Sequence, residues 1–264
     1  MADIACGSGI FLEEAFAYLQ DYCVQWYICN GQTDHLIETG IDLYKLPLQE
    51  KKDILCSCIY GIDIDIHAVE VAKFSLLIKL IEDETAPSVS EVVPILPDLG
   101  DNIQFGNSLV SQTELNGISG ANHQMMEIAP FDWSTINNGC GFDVIIGNPP
   151  YVNTEGMHAL LPSAEVEIYK KKYKTSHKQF DKYFIFIEQA INKINENGLV
   201  CYIVPNKFFK IGAGEKLRNL IAKERMLVSL DDFGDAQLFE DKTIYSSIIF
   251  TFQGEADEFC LQQR

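Results

Sequence analysis

The hydrophobic pattern of the chain switches repeatedly between two periods. Residues 10–22, IFLEEAFAYLQDY, carry apolar positions at helical spacing with acids on the opposite side, and residues 66–82, IHAVEVAKFSLLIKLIE, repeat that pattern for longer. Between them SCIYGIDI (57–64) reads as a strand that ends in an acid. NIQFGNSL (102–109) reads as a short strand and turn, FDVIIG (142–147) as a buried strand, and GLVCYIVP (198–205) as a strand stopped by Pro205. Helices are predicted over 179–196 and 213–225, and strands over 226–233 and 243–252. Strands alternating with helices predict an α/β fold, a mostly parallel sheet with helices on both faces. The loop between the last two strands has no room for a helix, so they are expected as an antiparallel hairpin on one edge. Residues 83–101 and 110–140 read as irregular, and residues 23–56 as an insertion.

Chemistry concentrates where strands end. DIACGSG (3–9) runs into the first helix, and its small residues allow a sharp turn and close approach of a ligand to the helix N-terminus. A purely structural tight turn has the same composition. The next strand ends in GIDID (61–65), and an acid at that place in nucleotide-binding α/β folds takes ribose hydroxyls. Asp63 fits that role, and Asp65 reads equally as a solvated acid. The third feature is GFDVIIGNPPY (141–151), a buried strand running into Asn148-Pro149-Pro150-Tyr151. The Asn148 side-chain carbonyl and the Pro149 backbone carbonyl are acceptors, and the double proline freezes their mutual geometry. Two converging acceptors suit an NH₂ group, and the ring of Tyr151, read as exposed, offers a stacking surface. Such a corner pulls the amine hydrogens out of plane and localises the lone pair for an incoming methyl group, with no strong general base required.

Composition narrows the setting. The 264 residues are 47% hydrophobic, enough for one large domain with a substantial core. No apolar run reaches the roughly 18 residues of a membrane span, and no signal peptide is recognisable, so a cytoplasmic protein is expected. The eight cysteines lack C-x-x-C spacing and read as reduced thiols, the histidines have no metal spacing, and no metal is expected. Charge is the awkward quantity: 38 acids against 20 bases, a formal −18, should repel phosphate. One stretch departs from it, KKKYKTSHKQFDK (170–182), with six of the twenty basic residues interleaved with aromatics. Its lysines suit phosphate contact, and the same stretch reads equally as a solvated loop.

At this point the chain resembles the DNA adenine-N6 methyltransferases of bacterial restriction–modification systems, above all the large type II enzymes that carry restriction and modification in one polypeptide. DIACGSGIFLEEA is similar to that family's D-P-A-C-G-S-G-x-F-L loop, with Ile4 in place of proline. CIYGIDIDIHAVEVAKFSL, FGNSL, FDVIIGNPPYV, FDKYFIFIEQAINKINENGLVCYIVPNKFF and FGDAQLFEDKTIYSSIIF resemble its later segments, so the likeness covers essentially the whole chain. The resemblance implies a Rossmann-like fold that binds S-adenosylmethionine. Asp3 would lie near the methionine end, with Ala5, Cys6, Gly7 and Gly9 beside it. Asp63 would hold the ribose, Ile64 would lie against the adenine ring, and Asn107 would read the exocyclic amine. Double-stranded DNA would present a flipped adenine to Asn148, Pro149, Pro150 and Tyr151, with Phe239 against the base and Lys170, Lys171, Lys172 and Lys174 toward phosphates. The chain is expected to be a single methyltransferase catalytic domain over 1–264. Its first strand would be cut short, and target recognition, with any restriction domain, would lie elsewhere in the parent polypeptide or complex. Two other readings stand beside this one. A protein glutamine-amide methyltransferase faces the same amine problem at an N-P-P-Y corner. An inactive methyltransferase-fold fragment would act as a binding module.

Overall fold

A computed structural model describes residues 1–85, 93–118, 121–223, 226–237, 245–252 and 260–263. Its strands are β1 (Ala2–Asp3), β2 (Ile37–Gly40), β3 (Leu43–Lys45), β4 (Tyr60–Asp63), β5 (Ile103–Phe105), β6 (Phe142–Gly147), β7 (Ile194–Pro205), β8 (Leu227–Gln237), β9 (Tyr245–Phe252) and β10 (Cys260–Gln263). β2 and β3 make a separate antiparallel pair, and the other eight form one sheet in the order β10-β8-β9-β7-β6-β1-β4-β5. The five strands from β7 to β5 in that order are all parallel, as the alternating pattern predicts.

Helices cover both faces. On one face the helices Ile10–Cys29, Leu48–Cys58 and Ile66–Ile81 bury Leu12, Phe16, Leu55 and Leu76 against the sheet, each wholly enclosed. Burial of such a side chain stabilises the fold by roughly 1.5–3 kcal/mol. The helix Lys182–Ile191 forms the core of the other face, and all ten of its residues are buried. It sits in a larger cluster with Phe142, Tyr169, Tyr202 and Phe208.

Several expectations need correction. The first helix continues to Cys29, seven residues past the predicted end at Tyr22. Residues 23–56, read as an insertion, carry regular structure: the end of that helix, the β2–β3 hairpin and most of the helix Leu48–Cys58. That second helix displaces the predicted start of β4 to Tyr60. The helix predicted over 179–196 is shorter, Lys182–Ile191, because β7 already begins at Ile194 and shifts register against β6. Within 110–140 the short helices Gln112–Asn116 and Met125–Ile128 form, the first opened by a Ser111–Glu114 capping box. β8 and β9 are antiparallel as predicted, but their pair does not end the sheet. β9 lies inside, between β7 and β8, and β10 pairs parallel to β8 as the outermost strand. Among the described residues no helix is long and apolar enough to cross a membrane.

Candidate active site

The strand order reverses at β1, with β4 and β5 on one side and β6 and β7 on the other. In an open parallel sheet the crevice beyond the C-terminal strand ends at such a reversal is the ligand site. Here the ends deliver Asp3 from β1, Asp63 from β4, Asn107 just after β5 and Asn148 just after β6. Ala5, Asp63, Ile64, Asn107 and Asn148 line one cleft of about 240 Å³.

The glycine turn and the second strand end are joined through Asp63. Its Oδ2 accepts from the Gly7 N–H at 2.8 Å and its Oδ1 from the Asp65 N–H at 2.9 Å. Each oxygen keeps a further lone pair, so the carboxylate is held rigid and can still accept from a pair of hydroxyls. Asp65 has a structural duty, capping the helix Ile66–Ile81 by accepting from the His67 N–H. At Gly7 no heavy atom lies within 4 Å of where a Cβ would stand, so the turn is open to a ligand. Gly9 serves packing instead: its φ is +88°, and a Cβ there would lie 2.9 Å from that of Ala72. The Cys6 thiol is buried in the core, and burial pushes its pKa up.

Asp3 is buried beneath the corner, and burial raises its carboxyl to about 7, opposed by the hydrogen bond from the Ala5 N–H. Because the folded chain holds this proton after the unfolded chain has lost it, stability falls as pH rises from 3.8 to about 7 and then levels. Asp3→Asn removes that loss. Urea unfolding should show the variant gaining on the wild type by about 2 kcal/mol or more between pH 4 and pH 8. Parallel pH profiles for the two proteins would refute this.

The Asn148–Tyr151 corner is braced from behind. The Lys182 N–H donates to the Val152 carbonyl at 2.8 Å, and the Thr154 hydroxyl to the Phe180 carbonyl at 2.7 Å. Pro149 is buried, while Pro150 is exposed and lines the cleft. Tyr151 is half-buried rather than exposed, with its ring edge-on to Tyr183 at 6.0 Å. Its hydroxyl contacts two acceptors, Asn148 Oδ1 and, at 2.9 Å, the Ile203 carbonyl. A hydroxyl has one proton, so it serves these acceptors one at a time. Burial pushes the phenol pKa up and keeps that proton in place.

Asn107 has partners that sequence reasoning missed. Its Nδ2 donates to Glu165 Oε1 at 3.0 Å and to the Tyr169 hydroxyl at 3.4 Å, and its Oδ1 accepts from the Leu109 N–H at 3.1 Å. Glu165 is buried, accepts from the Tyr169 hydroxyl, and pairs with Lys182 Nζ at 3.6 Å. Lys182 also lines the cleft, and burial lowers its pKa against the opposing pull of Glu165. The available signal was a lysine opening the otherwise apolar run KYFIFI, together with Glu165 and Tyr169 four residues apart on one helix.

The basic stretch divides by function. Lys170, Lys171 and Lys174 are exposed, the first beside His158 and the second paired with Glu167. Lys172 turns inward, to Glu114 at 2.9 Å and the Leu109 carbonyl at 3.0 Å, and so ties the 110–116 segment to its own helix. Lys178 approaches Glu215 and Lys207 pairs with Asp181 at 3.0 Å, which brings the 206–215 region beside the 173–181 loop. Residues 170–223 hold twelve of the twenty basic residues against four acids, whereas residues 1–169 hold five against twenty-five. That asymmetry along the chain resolves the overall negative charge into an acidic half and a basic segment next to the corner. Phe239 lies outside the described residues.

Known proteins resemble this chain over most of its length. A family model described as Eco57I restriction-modification methylase matches residues 57–239. The type II restriction enzyme and methyltransferase RM.Eco57I of Escherichia coli is 44% identical over 258 residues, covering 98% of this chain and 25% of that protein. Two solved structures share the fold. One, described as a class I S-adenosylmethionine-dependent methyltransferase of Listeria monocytogenes, aligns over 99% of this chain and 57% of its own with a TM-score of 0.55 at 14% identity. The other, the DrdV–DNA complex, aligns over 100% of this chain and 24% of its own with a TM-score of 0.63 at 14% identity. The chain therefore spans about a quarter of the length of RM.Eco57I.

Proposed function

The chain belongs to the Eco57I restriction-modification methylase family, and on that premise we propose that it transfers a methyl group from S-adenosylmethionine to the N6 amine of a flipped adenine in DNA. The observation that carries this reading is the placement of Asn148 on the same cleft as Asp63 and Asn107. An amine acceptor at one strand end faces nucleoside-binding groups at two others. The cleft fits the cofactor: Asp63 is a fixed double acceptor for ribose, Ile64 an apolar wall, Asn107 an amide beside them, and the turn at Gly7 is open.

When bound, S-adenosylmethionine supplies an electrophilic methyl group. This chain's residues prepare the nucleophile. Asn148 Oδ1 and the Pro149 carbonyl accept the two amine hydrogens, and the lone pair is thereby directed toward the cleft. Tyr151 leaves Asn148 free by giving its proton to the Ile203 carbonyl, and its ring then stacks on the base. Exposed Lys170, Lys171 and Lys174, continued by Lys207 beside Asp181, are placed to meet phosphates. On this reading residues 1–264 are the catalytic domain, and target recognition comes from elsewhere in the parent polypeptide or complex.

The test is incubation with tritiated-methyl cofactor and mixed genomic DNA, followed by digestion to nucleosides. Label should run with N6-methyladenine. Label on cytosine would overturn the choice of base, and label in added release-factor-like protein with none in DNA would overturn the substrate class.

A further inference from the structure

We propose that Glu165 is a positioning residue: it holds the Asn107 amide with its oxygen on the cleft side, so that the site selects a purine carrying an exocyclic amine. The proposal rests on the cofactor reading above and deepens it. A primary amide is nearly symmetric in shape, and only its neighbours decide which end is the acceptor. At Asn107 they decide without ambiguity. Glu165, as the carboxylate of an ion pair with Lys182, can only accept, and it takes Nδ2 at 3.0 Å. The Tyr169 hydroxyl gives its proton to Glu165 and so also receives from Nδ2. The Leu109 N–H can only donate, and it takes Oδ1 at 3.1 Å. Glu165 Oε1 and the Tyr169 hydroxyl contact each other and so share one amide hydrogen on the Nδ2 side, while Oδ1 keeps one lone pair for a donor in the cleft that Asn107 lines.

The burial of the pair requires a reason. Glu165 has 1% of its surface exposed and Lys182 has 8%. Burying two charges is costly, and an apolar pair of equal volume would serve packing as well. What an apolar pair could not do is fix the sense of the amide. The arrangement also makes amine selection depend on the helix Ser163–Lys172, which follows the catalytic corner in the chain, although Asn107 belongs to the end of β5.

Calorimetry with two probes tests the idea: S-adenosylhomocysteine, and S-inosylhomocysteine, which has an oxo group in place of the amine. The wild type should prefer the amine ligand by at least about tenfold, since the wrong ligand leaves a buried acceptor facing another acceptor. Glu165→Gln keeps the size but offers either an oxygen or an NH₂, so the amide can turn over and the preference should shrink to about threefold or less. Lys182→Met leaves Glu165 without its cation. The carboxylate then loses the contact that holds it in place against the Asn107 amide, and the preference narrows in the same direction. A merely structural role would weaken both ligands equally. Full preference retained in either folded variant overturns the proposal while leaving the cofactor reading intact. Failure of the wild type to bind either ligand overturns both.

Discussion

Asn148→Ala should lower methyl transfer by about 10²–10³-fold or more while leaving S-adenosylhomocysteine affinity within about threefold. The two halves of this expectation come from different parts of the site. On the proposed function, the methyl acceptor's amine needs both acceptors of the corner, and deleting one returns its lone pair to the ring. On the same reading the ligand side rests on Asp63, held by the Gly7 and Asp65 N–H groups, and on Asn107, held by Glu165, and none of these contacts passes through Asn148. The variant should also fold. The only side-chain partner in the described structure that Asn148 abandons is the Tyr151 hydroxyl, which retains the Ile203 carbonyl at 2.9 Å, and Pro149 and Pro150 still fix the backbone. Single-turnover transfer measured beside calorimetry separates the outcomes. A parallel loss of affinity and rate would mean that the asparagine builds the cleft rather than binding the amine.

The strand ends were the legible part of this sequence. Apolar runs closed by Asp63 or by Asn148-Pro149-Pro150 declare both a strand and its exit, because period and punctuation fall together. The glycine turn was legible as a turn but not residue by residue: a Cβ at Gly7 would meet open space, whereas Gly9 is required by the approach of Ala72 from another helix. Contacts of that kind have no local signature. Glu165 and Lys182 carried only a weak local signal, the lysine at the head of KYFIFI and the four-residue spacing of Glu165 and Tyr169. A glutamate on a mixed helix and a lysine ending a basic stretch read as surface, and only the packing of residues 163–191 against the end of β5 turns them inward. β10 escaped because four residues cannot show a period, and its pairing depends on the free edge that β8 presents.

Gly147→Ala should be the most damaging single methyl group in the site. The glycine has φ +151°, a backbone that L side chains rarely adopt, and an added Cβ would lie 2.6 Å from Asp3 Oδ1 and 2.9 Å from its Cγ. Asp3 has little room to withdraw, with 2% of its surface exposed and Oδ1 fixed by the Ala5 N–H at 3.0 Å. Either the carboxylate is driven from beneath the corner or the corner moves off the strand. Displacement by even 1 Å at the reacting amine costs roughly 10²-fold in rate. Stability should fall by about 2–4 kcal/mol, seen as a melting midpoint lower by roughly 5–10 °C. The double variant Gly147→Ala with Asp3→Ala separates the two causes. If the clash dominates, removing the carboxylate returns most of the lost stability, and the two changes are strongly non-additive. If backbone strain dominates, the losses add. A melting curve for Gly147→Ala superimposable on the wild type would show that neither holds, and that the corner has more slack than a 2.6 Å approach permits.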